Sequence, residues 1–213
     1  MGKRKKKKKK NIHPNYGQCY FINLASRTDR KQLTESNCKR ASLKAKTWKA
    51  TEKQGIEGKG ILKPAEIATI RSHKSLLEHA YNSGYERVFI LEDDIDFCDN
   101  FKLKLANAML ELPEDWDCLH LGGYSPNNCL VNYSGLLHRS IKTWGGYAYI
   151  VNHKAIPKLI EAISQEQTQV DTHYTWIMKD MQWFKTKEML VYHLPGYSDI
   201  NETHRDIKEL YIK

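Results

Sequence analysis

The chain has 213 residues, 40% of them hydrophobic and 28% charged, which excludes fibrous, wholly disordered and membrane-spanning classes. No apolar run approaches the roughly 20 residues of a membrane helix. The net charge of +9 is a property of one segment: without the eight cations of residues 3–10, 26 basic residues face 25 acidic ones.

Residues 1–16 are therefore expected to form a disordered basic tail, because a block of like charges repels itself. No apolar segment follows the charged start, so neither a secretory signal nor a transmembrane segment is expected, and the simplest compartment is cytoplasmic. The five cysteines show no C-x-x-C spacing, which removes zinc-ribbon and thioredoxin-like readings. Cys19, Cys98 and Cys118 sit in or beside apolar stretches and read as small core residues.

Gln18 to Leu24 reads as a buried first strand. A helix is expected from about Arg30 to Ser42, a short strand over Thr47 to Ala50, and a glycine-containing surface loop over 51–63. Pro64 opens a helix whose apolar residues Ile67, Ile70, Leu77 and Tyr81 recur near helical spacing, with Gly84 as its stop. Glu86 to Leu91 is a strand, and Phe101 to Leu112 an amphipathic helix. Trp116 to Leu121 and Tyr147 to Val151 read as strands. Lys154 to Ile163 and Asp171 to Trp183 read as helices, and Met189 to His193 as a last short strand. Pro195-Gly196 then turns the chain into a polar tail. Alternating strands and helices give an α/β domain over 17–213, with a mostly parallel central sheet flanked by helices. Neither G-x-G-x-x-G after the first strand nor G-x-x-x-x-G-K-[ST] occurs, so dinucleotide and P-loop readings lose their support.

The strand ending at Leu91 runs into Glu92, Asp93, Asp94 and Asp96, four carboxylates within five residues. Such crowding is best tolerated around a cation. Hard divalent ions take oxygen ligands, often together with substrate phosphates, and open α/β sheets bind ligands at strand carboxyl ends. A metal–phosphate site is expected there; the bland alternative is an acidic strand end in water. If the strand continued, Glu92, Asp94 and Asp96 would share one face, making Asp96 an extra ligand. Arg27 and Arg30, after the first strand, have the chemistry to clamp phosphate, or are simply solvated helix-start residues. Asp171 opens a helix and is either an N-cap or a general base. His73 is either a core histidine or a site residue. Trp144-Gly145-Gly146-Tyr147 either lets backbone approach a ligand beside sugar-stacking rings or forms a tight turn. The polar segment Tyr124 to Lys142 is a candidate cover for the acceptor.

Taken in order, these blocks resemble glycosyltransferase family 25, which contains bacterial lipooligosaccharide and collagen hydroxylysine galactosyltransferases. The blocks are Phe21-Ile22-Asn23-Leu24 with Arg27 and Arg30, Glu66 with Ser72-His73 (Ala65 standing where the family has glycine), and Ile90-Leu91-Glu92-Asp93-Asp94. Gly146-Tyr147-Ala148-Tyr149-Ile150, Asp171 and Gly196-Tyr197-Ser198-Asp199-Ile200 complete the set, spanning about residues 18–200. The resemblance implies a GT-A type fold and an inverting transfer from a UDP-sugar to a hydroxyl of a glycan or glycoprotein, with Mn²⁺ (or Mg²⁺) as cofactor. By the same resemblance Asp94 holds the metal with a late histidine, His193. Glu92 reaches the ribose or base, and Asp93 a sugar hydroxyl or a metal-bound water. Asn23, Leu24, Arg27, Arg30, Ser72, Gly146 and Ser198 complete the donor site, and Asp171 is the base. Two other functions compete. One is nucleic-acid or anionic-surface binding through the lysine tail, with no specific nucleic acid expected. The other is a catalytically inactive transferase-like module that binds carbohydrate.

Overall fold

The computed structural model describes residues 15–200 and 202–205. The expected basic tail, through residue 14, lies outside the described residues. The elements in chain order are β1 Gln18–Asn23, α1 Thr28–Arg40, β2 Ala45–Lys49, α2 Pro64–Asn82, β3 Arg87–Leu91, β4 Ile95–Phe97, α3 Phe101–Leu110 and β5 Cys118–His120. They continue with β6 Leu130–Asn132, β7 Leu137–Ser140, β8 Ala148–Asn152, α4 Ile156–Ser164, α5 Val170–Ile177, β9 Trp183–Thr186, β10 Val191–His193, β11 Gly196–Ser198 and β12 Thr203–Arg205.

An eight-stranded sheet in the order β2-β1-β3-β8-β5-β9-β7-β6 organises the molecule. β1, β2, β3, β5, β6 and β9 run one way, and β8 and β7 run the other. The α/β class and the largely parallel, helix-flanked sheet are thus as expected, with an antiparallel strand, β8, set in the middle. Alternation along the strands builds two cores. Tyr20, Ile22, Val88, Ile90, Tyr149, Val151 and Trp183 face α2, α4 and α5. Cys19, Phe21, Phe89, Leu91, Ile150 and Phe184 face the other way, towards Cys38 of α1 and Phe101 and Leu105 of α3. Strands buried on both faces read as near-continuous apolar runs, as Val88 to Leu91 does.

Three expectations need correction. The helix expected over Asp171 to Trp183 ends at Ile177, is followed by a 3₁₀ turn at Met178–Asp180, and gives way to β9. Trp183 and Phe184 bury to opposite faces of the sheet there, so tertiary packing imposes a period of two on a segment that reads as helical. The acidic strand does not continue past Leu91 either: β4 leaves the main sheet and pairs antiparallel with β10. The segment after Pro195-Gly196, expected as a polar tail, includes a β11–β12 hairpin. Of the cysteines expected in the core, Cys19 and Cys118 are buried and Cys98 only partly so.

α2 positions much of the site. Its Pro64 fills the first turn, and Glu66 accepts a hydrogen bond from the Lys63 N–H at 2.8 Å, capping an otherwise orphaned donor. The other Glu66 oxygen accepts from Gln169 Nε2 at 2.8 Å, which ties α2 to the start of α5. No helix among the described residues is long and apolar enough to cross a membrane.

Candidate active site

The turn between β3 and β4 is pinned from both sides. Glu92 N–H donates to the Tyr147 carbonyl at 2.9 Å, continuing the β3–β8 ladder for one residue. From α1, Thr34 Oγ1 donates to the Asp93 carbonyl at 2.6 Å and Asn37 Nδ2 to the Ile95 carbonyl at 2.9 Å. Leu194 N–H donates to the Asp94 carbonyl at 2.7 Å. Thr34 and Asn37 are buried, and sequence reading missed them because polar residues in a charged helix look solvent-facing. Their signal was a one-turn spacing on the helix face that follows the first strand.

This turn aims its three acids differently. Asp93 is buried, held by Asn23 Nδ2 at 2.7 Å and Arg30 Nη1 at 3.0 Å. Burial, and then the neighbouring Asp94 charge, raise its carboxyl to about 6 despite those donors. Glu92 and Asp94 turn instead towards His193, which ends β10, and one ligand atom from each of the three lies within 4.8 Å of the others. Burial opposes ionisation of Asp94, yet His193 and Arg30 hold its carboxyl below the usual range. Burial likewise works against the His193 cation, and Asp94 and Glu92 raise it.

This trio fits a divalent cation. Asp94 Oδ1 is buried without an aligned hydrogen-bond donor, although His193 Nε2 lies 3.1 Å away. His193 Nδ1 lies 3.1 Å from the Leu194 carbonyl, which places a hydrogen on Nδ1. With Nδ1–H engaged there, Nε2 is the nitrogen that faces Asp94, and a divalent cation would take the place of the proton between Nε2 and the carboxylate. One imidazole and two carboxylates suit Mn²⁺ better than Mg²⁺, which favours oxygen ligands. Asp96, expected as an extra ligand, is not in this group. The break in the strand turns it towards Arg40, with which it pairs.

A cleft of about 300 Å³ opens beside the trio. Leu24, Arg30, Ser72, Glu92, Asp93, Asp94, His193 and Ser198 all line it, so most of the expected donor residues converge. Thr51 and Lys53, from the loop before α2, also line it. Ser72 Oγ accepts from the Thr51 N–H at 2.8 Å and shapes that wall. The arginines are already engaged. Arg30 bonds Asp93, Asp94 (3.2 Å) and the Tyr197 carbonyl, while Arg27 pairs bidentately with Asp29 and also with Asp199. Arg30 clamps the acidic turn to the β11–β12 hairpin, Arg27 ties the start of α1 to Asp199 of the hairpin, and Asn23 serves Asp93 rather than facing the cleft.

Asp171 and Gly146 do not line that cleft. Asp171 sits in the first turn of α5, and its oxygens accept the N–H groups of Gly145 and Thr172 at 2.9 and 2.8 Å. It thereby fixes the turn before β8, where Gly145 adopts a φ of +99°. At Gly146 an added Cβ would meet only Val170 Cγ1, at 3.7 Å, so packing does not demand glycine there. His73 is a core histidine that also reaches the site. It is buried, its Nδ1 lies 2.9 Å from the Tyr149 hydroxyl, and its Nε2 lies 3.7 Å from Glu92.

Comparison with known proteins gives these residues a context. A family model described as glycosyltransferase family 25 (LPS biosynthesis protein) matches residues 17–174. Procollagen galactosyltransferase 1 of Danio rerio is 23% identical over 174 residues, covering 69% of this chain and 29% of that protein. A probable inactive glycosyltransferase 25 family member 3 of Rattus norvegicus is 36% identical over 64 residues, covering 29% of this chain and 11% of that protein. Among solved structures, a glycosyltransferase involved in glycosylating the major capsid of PBCV-1 is 11% identical. It aligns with a TM-score of 0.45 over 80% of this chain and 91% of that one. The chain spans less than a third of the length of the procollagen galactosyltransferase it matches.

Proposed function

Since the chain belongs to glycosyltransferase family 25, we propose that its cleft binds a UDP-sugar with Mn²⁺ and transfers the sugar, with inversion, to a hydroxyl of a glycan or glycoprotein. The observation that carries this reading is the convergence of Glu92, Asp94 and His193 at the cleft wall. Family membership alone does not carry it, because the relatives include a protein named as inactive. The galactosyltransferase named among the relatives makes UDP-galactose the first donor to test.

Those three residues would hold the ion, whose contribution when bound is to neutralise the departing diphosphate as a Lewis acid. Arg30, fixed between Asp93, Asp94 and the Tyr197 carbonyl, keeps the hairpin against the cleft and a positive charge beside the diphosphate. Buried Asp93, oriented by Asn23, presents a carboxyl to the sugar hydroxyls. Asp171 stands outside the cleft wall and is the base that the family resemblance offers: it would take the proton of the acceptor hydroxyl as that oxygen bonds to the anomeric carbon and the carbon–phosphate oxygen bond breaks. A carboxylate offers about four lone-pair sites, so its two backbone bonds leave room for this.

Asp171→Asn keeps the shape and removes the basicity. Sugar transfer is expected to fall by about 10²–10⁴-fold with UDP affinity unchanged, read by transfer kinetics and calorimetry. A loss of less than tenfold would reduce Asp171 to an anchor for Gly145.

A further inference from the structure

Beyond the cleft, the other half of the sheet carries polar side chains where a core would be apolar. The pairings Tyr149↔His120, His120↔Lys185 and Lys185↔His138 place four residues in one transverse row across β8, β5, β9 and β7. In-register neighbours project to the same face, here the face that carries Trp183, Tyr149 and Tyr174. The row begins beside the site, where the Tyr149 hydroxyl meets His73 and His73 approaches Glu92.

The row holds a donor without an acceptor beside an unneutralised cation. Trp183 Nε1–H donates to His120 Nδ1 at 2.9 Å. A neutral imidazole then carries its own hydrogen on Nε2. That Nε2 is buried without a hydrogen-bond partner, in a side chain 1% exposed. Next to it lies Lys185, 8% exposed. Burial pushes the Lys185 ammonium below the ordinary lysine range, and no carboxylate among the described residues offsets this. His138 follows, half-buried; its ring donates to the Val131 carbonyl, which leaves the unpartnered Nδ1 as a lone pair. Lysine is seldom this buried without a carboxylate beside it, and the orphaned His120 donor forfeits its hydration. Apolar residues would fill the space at lower cost, so the row points to a ligand that accepts hydrogen bonds and carries negative charge.

We propose that His120 and Lys185 form a subsite for an oxyanion, a carboxylate or phosphate, carried by the acceptor. The link to the acceptor rests on the transferase reading above; the binding of the anion itself does not. Lys185 supplies the charge and His120 Nε2–H a fixed donor. The row's place at the end of the sheet away from β1 and β2 keeps it clear of the cleft that would take the donor.

The test is nitrogen–proton NMR of the His120 ring, with thermal unfolding, in sodium chloride and then in equal-ionic-strength phosphate or glucuronate. The expected result is a saturable shift of the His120 Nε2–H signal with at least one of these two anions. The responding anion identifies the group, phosphate or carboxylate. Unfolding should rise by at least about 5 °C at a hundredfold excess over Kd. Lys185→Met should lose the NMR shift and unfold no lower than wild type in chloride, since a buried ammonium has been removed. Asp94→Ala should retain the shift even with transfer abolished, which separates this subsite from the metal site. An unchanged His120 signal in wild type with both anions would overturn the proposal, and so would the same shift in Lys185→Met. The wild-type titration decides the matter if that variant does not fold.

Discussion

Asp94→Ala should lower sugar transfer by at least about 10²–10³-fold and abolish the Mn²⁺ dependence of UDP binding. Asp94 is the one carboxylate touched by both cationic partners of the turn, Arg30 at 3.2 Å and His193 at 3.1 Å. Without it the trio keeps one carboxylate and one imidazole. The fold should survive. Thr34, Asn37 and Leu194 hold the turn through backbone carbonyls, and Arg30 keeps Asp93. Circular dichroism on the same sample separates lost chemistry from lost structure. Normal turnover in a folded Asp94→Ala protein would remove the metal assignment.

The second large effect concerns acid stability. Burial, reinforced by the Lys185 charge, lowers His120 to about 3. The unfolded chain takes up a proton near pH 6.5, whereas the folded ring stays neutral until about pH 3. Between those values the unfolded state binds more protons, so acidification favours it. The contribution of a neutral His120 is complete above pH 6.5 and is lost progressively down to about pH 3. It amounts to about 4–5 kcal/mol, comparable to the whole stability of a small domain. Urea unfolding from pH 7 to 4 should show the wild type losing stability more steeply than His120→Gln. Parallel slopes would mean that the imidazole is hydrated or paired.

The part of the site that was legible in the sequence is the part built locally. Four acids after an apolar strand announce a strand-end turn, because the chain itself brings them together. Asn23, Arg30 and Ser72 followed from ordered motifs, and the structure gathers them around that turn. What sequence could not show is what the sheet order decides. β8 lies between β3 and β5 although it follows them in the chain, so Tyr147 O bonding to Glu92 has no local sign. Trp183 reads as the end of a helix, and only its place between β5 and β7 makes it a strand residue. Asp96 was assigned by alternation along a strand that in fact breaks at Glu92. Nothing in the sequence marks Lys185 as buried, because only the sheet order sets β9 between two strands that carry histidines.

Donor binding in this cleft requires Glu92, Asp94 and His193 to hold one divalent ion. Electron paramagnetic resonance of Mn²⁺ added to the protein with UDP tests this directly. One ion per chain is expected, with nitrogen hyperfine coupling that vanishes in His193→Gln and affinity at least about tenfold weaker in Asp94→Asn. Mn²⁺ bound equally well by both variants, or without any coupled nitrogen, would contradict it.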